Sequence, residues 1–252
     1  MRFSPSLNRE MPVITFGGAS LSGEGGGYGF GLISENESQA LLQAAWEAGI
    51  SVYDTAPVYG FGLSEERLGR YLPKEAFVIS KSGVDWHPSH RINMTNDPKV
   101  AQKMLYESLR RLKRDRIDLY MIHWPDPRID IRATLEVLVK AKEQGKISFI
   151  GLCNTTSNDL SKAREVTDVS ALQSELNLFS QRPFDDLGNH WREVFSMSWG
   201  TFDKGILSGR VTKERKFTKE DCRSWAPWWN KKEVQFKIER TQELLGILQD
   251  YE

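Results

Sequence analysis

Residues 117–123 read IDLYMIH, a run of six residues, apolar but for Asp118, that ends in a histidine. Its length and its β-branched and aromatic content predict a buried strand with a polar group at its C-terminal end. The same layout recurs upstream: SVYD (51–54) ends in Asp54, FVISK (77–81) ends in Lys81, and Tyr59 follows Asp54 in a Gly-flanked loop. An acid, a phenol, an amine and an imidazole carried to the ends of successive strands converge on one face of a parallel β/α sheet or barrel. A barrel is expected, because an open sheet concentrates its site at one crossover whereas here many strand ends carry polar residues.

Outward from these runs, short apolar segments alternate with helical patterns. Val13–Phe16 is expected as the first strand, followed by the glycine-rich loop 17–31. Ser34 and Glu37 make a capping box, with Leu41, Ala45 and Ala48 as the expected apolar stripe up to Gly49. Further strands are expected at 50–53, 77–80, 148–152, 171–172 and 194–198. Helices are expected at 64–71, after Asn96-Asp97-Pro98 with Leu105, Leu109 and Leu112 on one face, along Leu135, Leu138 and Val139, and along Val234, Ile238, Leu245 and Leu248. The basic run Arg110, Arg111, Lys113 and Arg114 reads as a solvated face. About seven strands alternate with helices, an α/β pattern filling residues 1–252 as a single domain.

Composition bounds the function. Lys plus Arg equals Asp plus Glu at 34 each, so no net field favours nucleic acid or an acidic membrane, and a small-molecule partner is expected. Two cysteines, Cys153 and Cys222, are too few for a disulfide framework or a zinc cluster, which fits a reducing compartment. No signal peptide is legible in MRFSPSLNRE and no apolar run approaches the roughly 18 residues of a membrane span, so a cytoplasmic protein is expected. The glycines of the first loop do not make the G-x-G-x-x-G fingerprint: from Gly25 and Gly27 the last position is Phe30, and from Gly27 and Gly29 it is Leu32. There is no P-loop, nucleophile elbow or H-E-x-x-H, and His87 and His90 have no third ligand, so no metal is expected.

The four strand-end residues suit protonation of an oxygen that is becoming an alkoxide. A lysine ammonium beside a phenol stabilises the phenolate and lowers the pKa of Tyr59, Asp54 supplies the counter-charge that keeps buried Lys81 protonated, and neutral His123 polarises a carbonyl. No side chain supplies hydride, so carbonyl reduction implies a nicotinamide cofactor. Spacing alone leaves open a structural Asp54–Lys81 ion pair with Tyr59 and His123 packed in the core.

The stretches DTAPVYGFGLSEERLG, FVISKSG and DLYMIHWPDP resemble, in order and spacing, the three signature regions of the aldo-keto reductase superfamily. The resemblance covers almost the whole chain and implies a (β/α)8 TIM barrel, a catalytic tetrad of Asp54, Tyr59, Lys81 and His123, and NADP(H) bound without a Rossmann domain, NAD(H) remaining an alternative. It also implies cofactor contacts at Gly18, Asp54, Asn154 and Gln173, an aromatic ring of Trp199 stacked on the nicotinamide, and a pyrophosphate cradle at Phe202, Lys204, Gly205 and Leu207. Cys153 stands where serine is usual, weakening one hydrogen bond, and Thr201 replaces a proline, which loosens the cradle. The family's eighth strand, last helix and adenosine-phosphate segment are not found before residue 252, so the barrel is expected to lack them: either the sequence is a fragment, or another chain fills the gap, or one strand escapes the count. Tyr28, Trp86 and Trp124 are expected at the pocket mouth, walls that suit aldehydes, ketones and sugars alike. The WAPWW cluster (225–229) reads either as a lid or as a packed surface loop. The expected activity is NAD(P)H-dependent interconversion of a carbonyl or sugar with its alcohol or lactone; the alternative is a non-catalytic nucleotide-binding regulatory subunit.

Overall fold

The computed structural model describes residues 1–23 and 28–249; Gly25 and Gly27 of the glycine loop, and Asp250, lie outside these. Its strands are β1 (Arg2–Ser4), β2 (Arg9–Met11), β3 (Phe16–Gly17), β4 (Val52–Asp54), β5 (Phe77–Ser82), β6 (Val84–Trp86), β7 (Ile92–Met94), β8 (Ile117–Ile122), β9 (Ile147–Cys153), β10 (Ala171–Glu175) and β11 (Phe195–Trp199). The helices are α1 (Glu35–Glu47), α2 (Leu63–Tyr71), α3 (Pro98–Leu112), α4 (Ile131–Glu143), α5 (Ser157–Arg164), α6 (Arg182–Asp186), α7 (His190–Glu193) and α8 (Lys231–Gln249). Seven strands form one all-parallel sheet in the order β3-β4-β5-β8-β9-β10-β11, curled into a nearly closed barrel with helices outside. This is the expected (β/α) barrel, with seven strands among the described residues.

Alternation along each strand separates two cores. Tyr53, Val78, Tyr120, Ile122, Ile150, Leu152 and Leu172 face outward and pack with the helices. Val52, Phe77, Ile79, Leu119, Met121, Ala171 and Met197 face inward and fill the barrel. Leu7 and Met11 belong to the inner cluster, because the antiparallel hairpin β1–β2 closes the floor under the N-terminal strand ends. The sequence reading did not foresee that hairpin.

Four local expectations are corrected. The first strand of the barrel sheet, β3, begins at Phe16, not Val13, and the hairpin strands precede it; Met11 is held by the hairpin, Pro12 has no N–H to continue a ladder, and Val13 and Ile14 are 72% and 68% exposed. The Ser34–Glu37 capping box is present, but α1 buries Ser38, Leu42 and Ala45 while Leu41 and Ala48 face outward, since the adjacent leucines lie about 100° apart and only one can meet the core. Arg111 is buried rather than solvated: its Nε donates to Glu65 Oε2 at 2.6 Å, while Arg114 donates to the carbonyls of Pro73, Lys74 and Ala76. On α8, Ile238 is buried and Val234 partly so, but Leu245 and Leu248 are exposed.

Candidate active site

The inward rows of the strands end at the C-terminal mouth of the barrel, and these row ends make the candidate site. Val52 leads to Asp54, Phe77 and Ile79 to Lys81, Leu119 and Met121 to His123, Ala171 to Gln173, and Met197 to Trp199, each two residues further along the same face. Lys81 is fully buried; its Nζ donates to Asp54 Oδ1 at 2.6 Å and to the Thr55 carbonyl at 2.8 Å. The same Nζ lies 5.7 Å from the Tyr59 ring centroid, and the Tyr59 and His123 rings meet edge to face with centroids 5.9 Å apart. Tyr59 is aimed by a tight loop. Gly60, at φ +63°, presses so closely on Ser22 that a Cβ there would come within 2.4 Å of its carbonyl oxygen.

Electrostatics sort the roles. Burial alone would lower the pKa of Lys81, but the Asp54 carboxylate beside it holds the ammonium above its ordinary value. Burial and the Lys81 charge push His123 well below 6.5, so its imidazole is neutral, as expected. Tyr59 departs from expectation: burial pushes its phenol up to about 12, outweighing the pull of Lys81. The phenol therefore keeps its proton at neutral pH.

Two side-chain amides complete the mouth. Gln173 Nε2 donates to Asp54 Oδ2 at 3.0 Å, and the Cys153 thiol donates to Gln173 Oε1 at 3.1 Å. Asn154, with φ +55°, donates through Nδ2 to the His123 carbonyl at 3.0 Å and accepts from Trp199 Nε1 at 2.9 Å. Each amide oxygen has one such bond and keeps a second lone pair, which suits the N–H of a carboxamide next to the half-buried indole. Burial raises the Cys153 pKa, so the thiol is a hydrogen-bonding group here and not a nucleophile.

Tyr28 and Trp124 share a small apolar cluster with Tyr59, Ala56, Val58 and Val84, while Trp86 packs 5.5 Å from Phe61, whose ring stacks on His90 at 4.2 Å. His87 and His90 sit in the β6–β7 turn, and no group of metal-binding residues occurs among the described residues. Gly18 packs where a Cβ would meet Ser64 Oγ at 2.8 Å and the Asp54 carbonyl at 2.9 Å. In the 202–207 loop Phe202 is exposed and Lys204, Gly205 and Leu207 are partly so, with Lys204 at φ +55° and Gly205 at +99°. Trp225 packs 5.8 Å from Tyr28, and the Cys222 N–H donates to the Gly29 carbonyl at 2.9 Å, so the WAPWW segment is fastened to the first loop. Sequence reading missed Thr55, which acts through a carbonyl and so has no side-chain signal, and Glu175, which continues the inward row of Gln173.

A family model described as the aldo/keto reductase family matches residues 13–251. The aldo-keto reductase YhdN of Bacillus subtilis is 31% identical over 213 residues, covering 82% of this chain and 64% of its own length. The NADP(+) aldo-keto reductase yakc of Schizosaccharomyces pombe is 32% identical over 243 residues, covering 92% of this chain and 70% of its own. Among solved structures, a glycerol dehydrogenase of Gluconobacter oxydans superposes with a TM-score of 0.82 at 28% identity, over 98% of this chain and 77% of that one.

Proposed function

The chain belongs to the aldo/keto reductase family, and from that premise we propose that it is an NADP(H)-dependent oxidoreductase that interconverts an aldehyde, ketone or sugar with the corresponding alcohol or lactone. The observation that carries this reading is the convergence, at one barrel mouth, of a buried ammonium fixed 2.6 Å from a carboxylate, a protonated phenol and a neutral imidazole. NADP(H) is chosen over NAD(H) because the yeast relative carries NADP(+) in its name.

A bound nicotinamide supplies the hydride. Asn154 and Gln173 would hold its carboxamide through their second lone pairs, Trp199 would offer its indole face to the ring, the 202–207 loop would hold the phosphates, and Gly18 lets the end of β3 pack tightly against Asp54. Tyr59 donates its proton to the carbonyl oxygen, and in the oxidative direction takes it back. Lys81 lowers the cost of the phenolate left behind, Asp54 keeps Lys81 charged, and His123 donates a hydrogen bond that orients the carbonyl. Tyr28, Trp86 and Trp124 wall the substrate side. Both cysteines are free and buried, which fits a cytoplasmic setting, and no helix among the described residues is long and apolar enough to cross a membrane.

Tyr59→Phe tests the assignment. It removes the proton donor while keeping the ring, and aldehyde-dependent loss of NADPH absorbance is expected to fall by about 10²–10⁴-fold. Wild-type turnover in that variant would refute the role of the phenol.

A further inference from the structure

The Lys204 ammonium, on the loop where a pyrophosphate cradle is expected, is enclosed by acids and indoles. Its Nζ lies 2.5 Å from Glu175 Oε1 and 3.1 Å from Asp203 Oδ1, and 5.7 and 5.5 Å from the ring centroids of Trp199 and Trp228. Asp203 is shared with Lys237 of α8 at 3.0 Å, and Lys237 also meets Glu233 at 2.9 Å. Two cations and three carboxylates therefore form a closed network with no uncompensated positive charge.

Glu175 is placed for this by the sheet. It is the last residue of β10, paired in register with Trp199 of β11, and its side chain rests on Gly200, where an added Cβ would stand 3.3 Å from Oε1. The Trp199 indole is thus held twice, by its own N–H on Asn154 Oδ1 and by the Lys204 ammonium near its ring. A phosphate taking Lys204 would have to displace two carboxylates and leave partly buried Glu175 without its partner.

We propose that Glu175 and Lys204 are positioning residues: their ion pair braces the Trp199 indole in the orientation that reaches Asn154, setting the nicotinamide platform before the dinucleotide arrives, and Lys204 is not a phosphate ligand. The brace is a property of the chain itself; only the purpose of the platform rests on the function proposed above.

The test uses the whole chain and two readouts. In a 15N spectrum with the Trp199 indole assigned through Trp199→Phe, Glu175→Ala and Lys204→Met are each expected to speed exchange of the Trp199 Nε1–H by about tenfold. The indoles of Trp46 and Trp191 should stay unchanged, and Lys204→Arg should retain the wild-type rate. In binding, Lys204→Met is expected to weaken NADP(+) by about tenfold and to leave the 2′-phosphate of ADP-ribose, which lacks nicotinamide, within about twofold. Equal weakening of both ligands, with a shallower salt dependence, would make Lys204 a phosphate contact and overturn the proposal. A chain that binds neither ligand would count against the cofactor reading, and indole exchange then decides the brace: a Trp199 rate unchanged in both variants overturns it.

Discussion

Buried Lys81 retains its charge because the Asp54 carboxylate and the Thr55 carbonyl take two of its three N–H groups, and that charge, with burial, keeps His123 neutral. The consequence at the scale of one residue is a pH effect. The unfolded imidazole gains a proton below about 6.5 while the folded one does not, so the unfolded state binds more protons and stability falls as pH drops from about 6.5. One such group contributes a slope of at most about 1.4 kcal/mol per pH unit. Thermal melts between about pH 6.5 and 5 should therefore lose stability faster in the wild type than in His123→Gln; parallel curves would mean the imidazole takes up its proton as readily in the fold as in the unfolded chain. The meeting of Asp54, Tyr59, Lys81 and His123 at one mouth was legible because strand ends advertise polar residues, whereas the direction of the Tyr59 shift was not, since it depends on how much water the surrounding loops exclude.

Helices α2 and α3 show what patterns of single elements leave out. They cross closely at Gly69, where a Cβ would come within 2.4 Å of the Arg111 carbonyl oxygen, so Gly69→Ala should cost about 1–3 kcal/mol in a denaturant titration. Near that crossing Glu65 is fully buried, accepting from Arg111 Nε and, at 2.6 Å, from Ser80 Oγ. Glu65→Ala leaves the Arg111 guanidinium buried without its close carboxylate and should cost about 3–5 kcal/mol, measured the same way, with Lys81 and its partners untouched. The apolar stripe of α3 was readable from Leu105, Leu109 and Leu112. Arg111 was misread because charge composition cannot say which basic residue of a run faces a buried acid on another helix.

At the scale of the molecule, the barrel needs a floor, and Leu7 and Met11 provide it against Val52, Phe77 and Leu119. Leu7→Ala should lower stability by about 2–5 kcal/mol in chemical denaturation and leave Tyr59, Lys81 and His123 in place at the opposite end. An unchanged midpoint would mean the hairpin is only docked. The sequence by itself determined the alternation of strands and helices and the chemistry at the strand ends, because a short apolar run, a helical stripe and a terminal polar residue are local properties. Only the tertiary structure decided that the β1–β2 hairpin seals the floor, that Glu175 claims Lys204, and that Asn154 and Trp199 bond across the mouth. Those contacts join residues far apart in the chain, and their existence depends on sheet curvature and strand register, which no local pattern encodes.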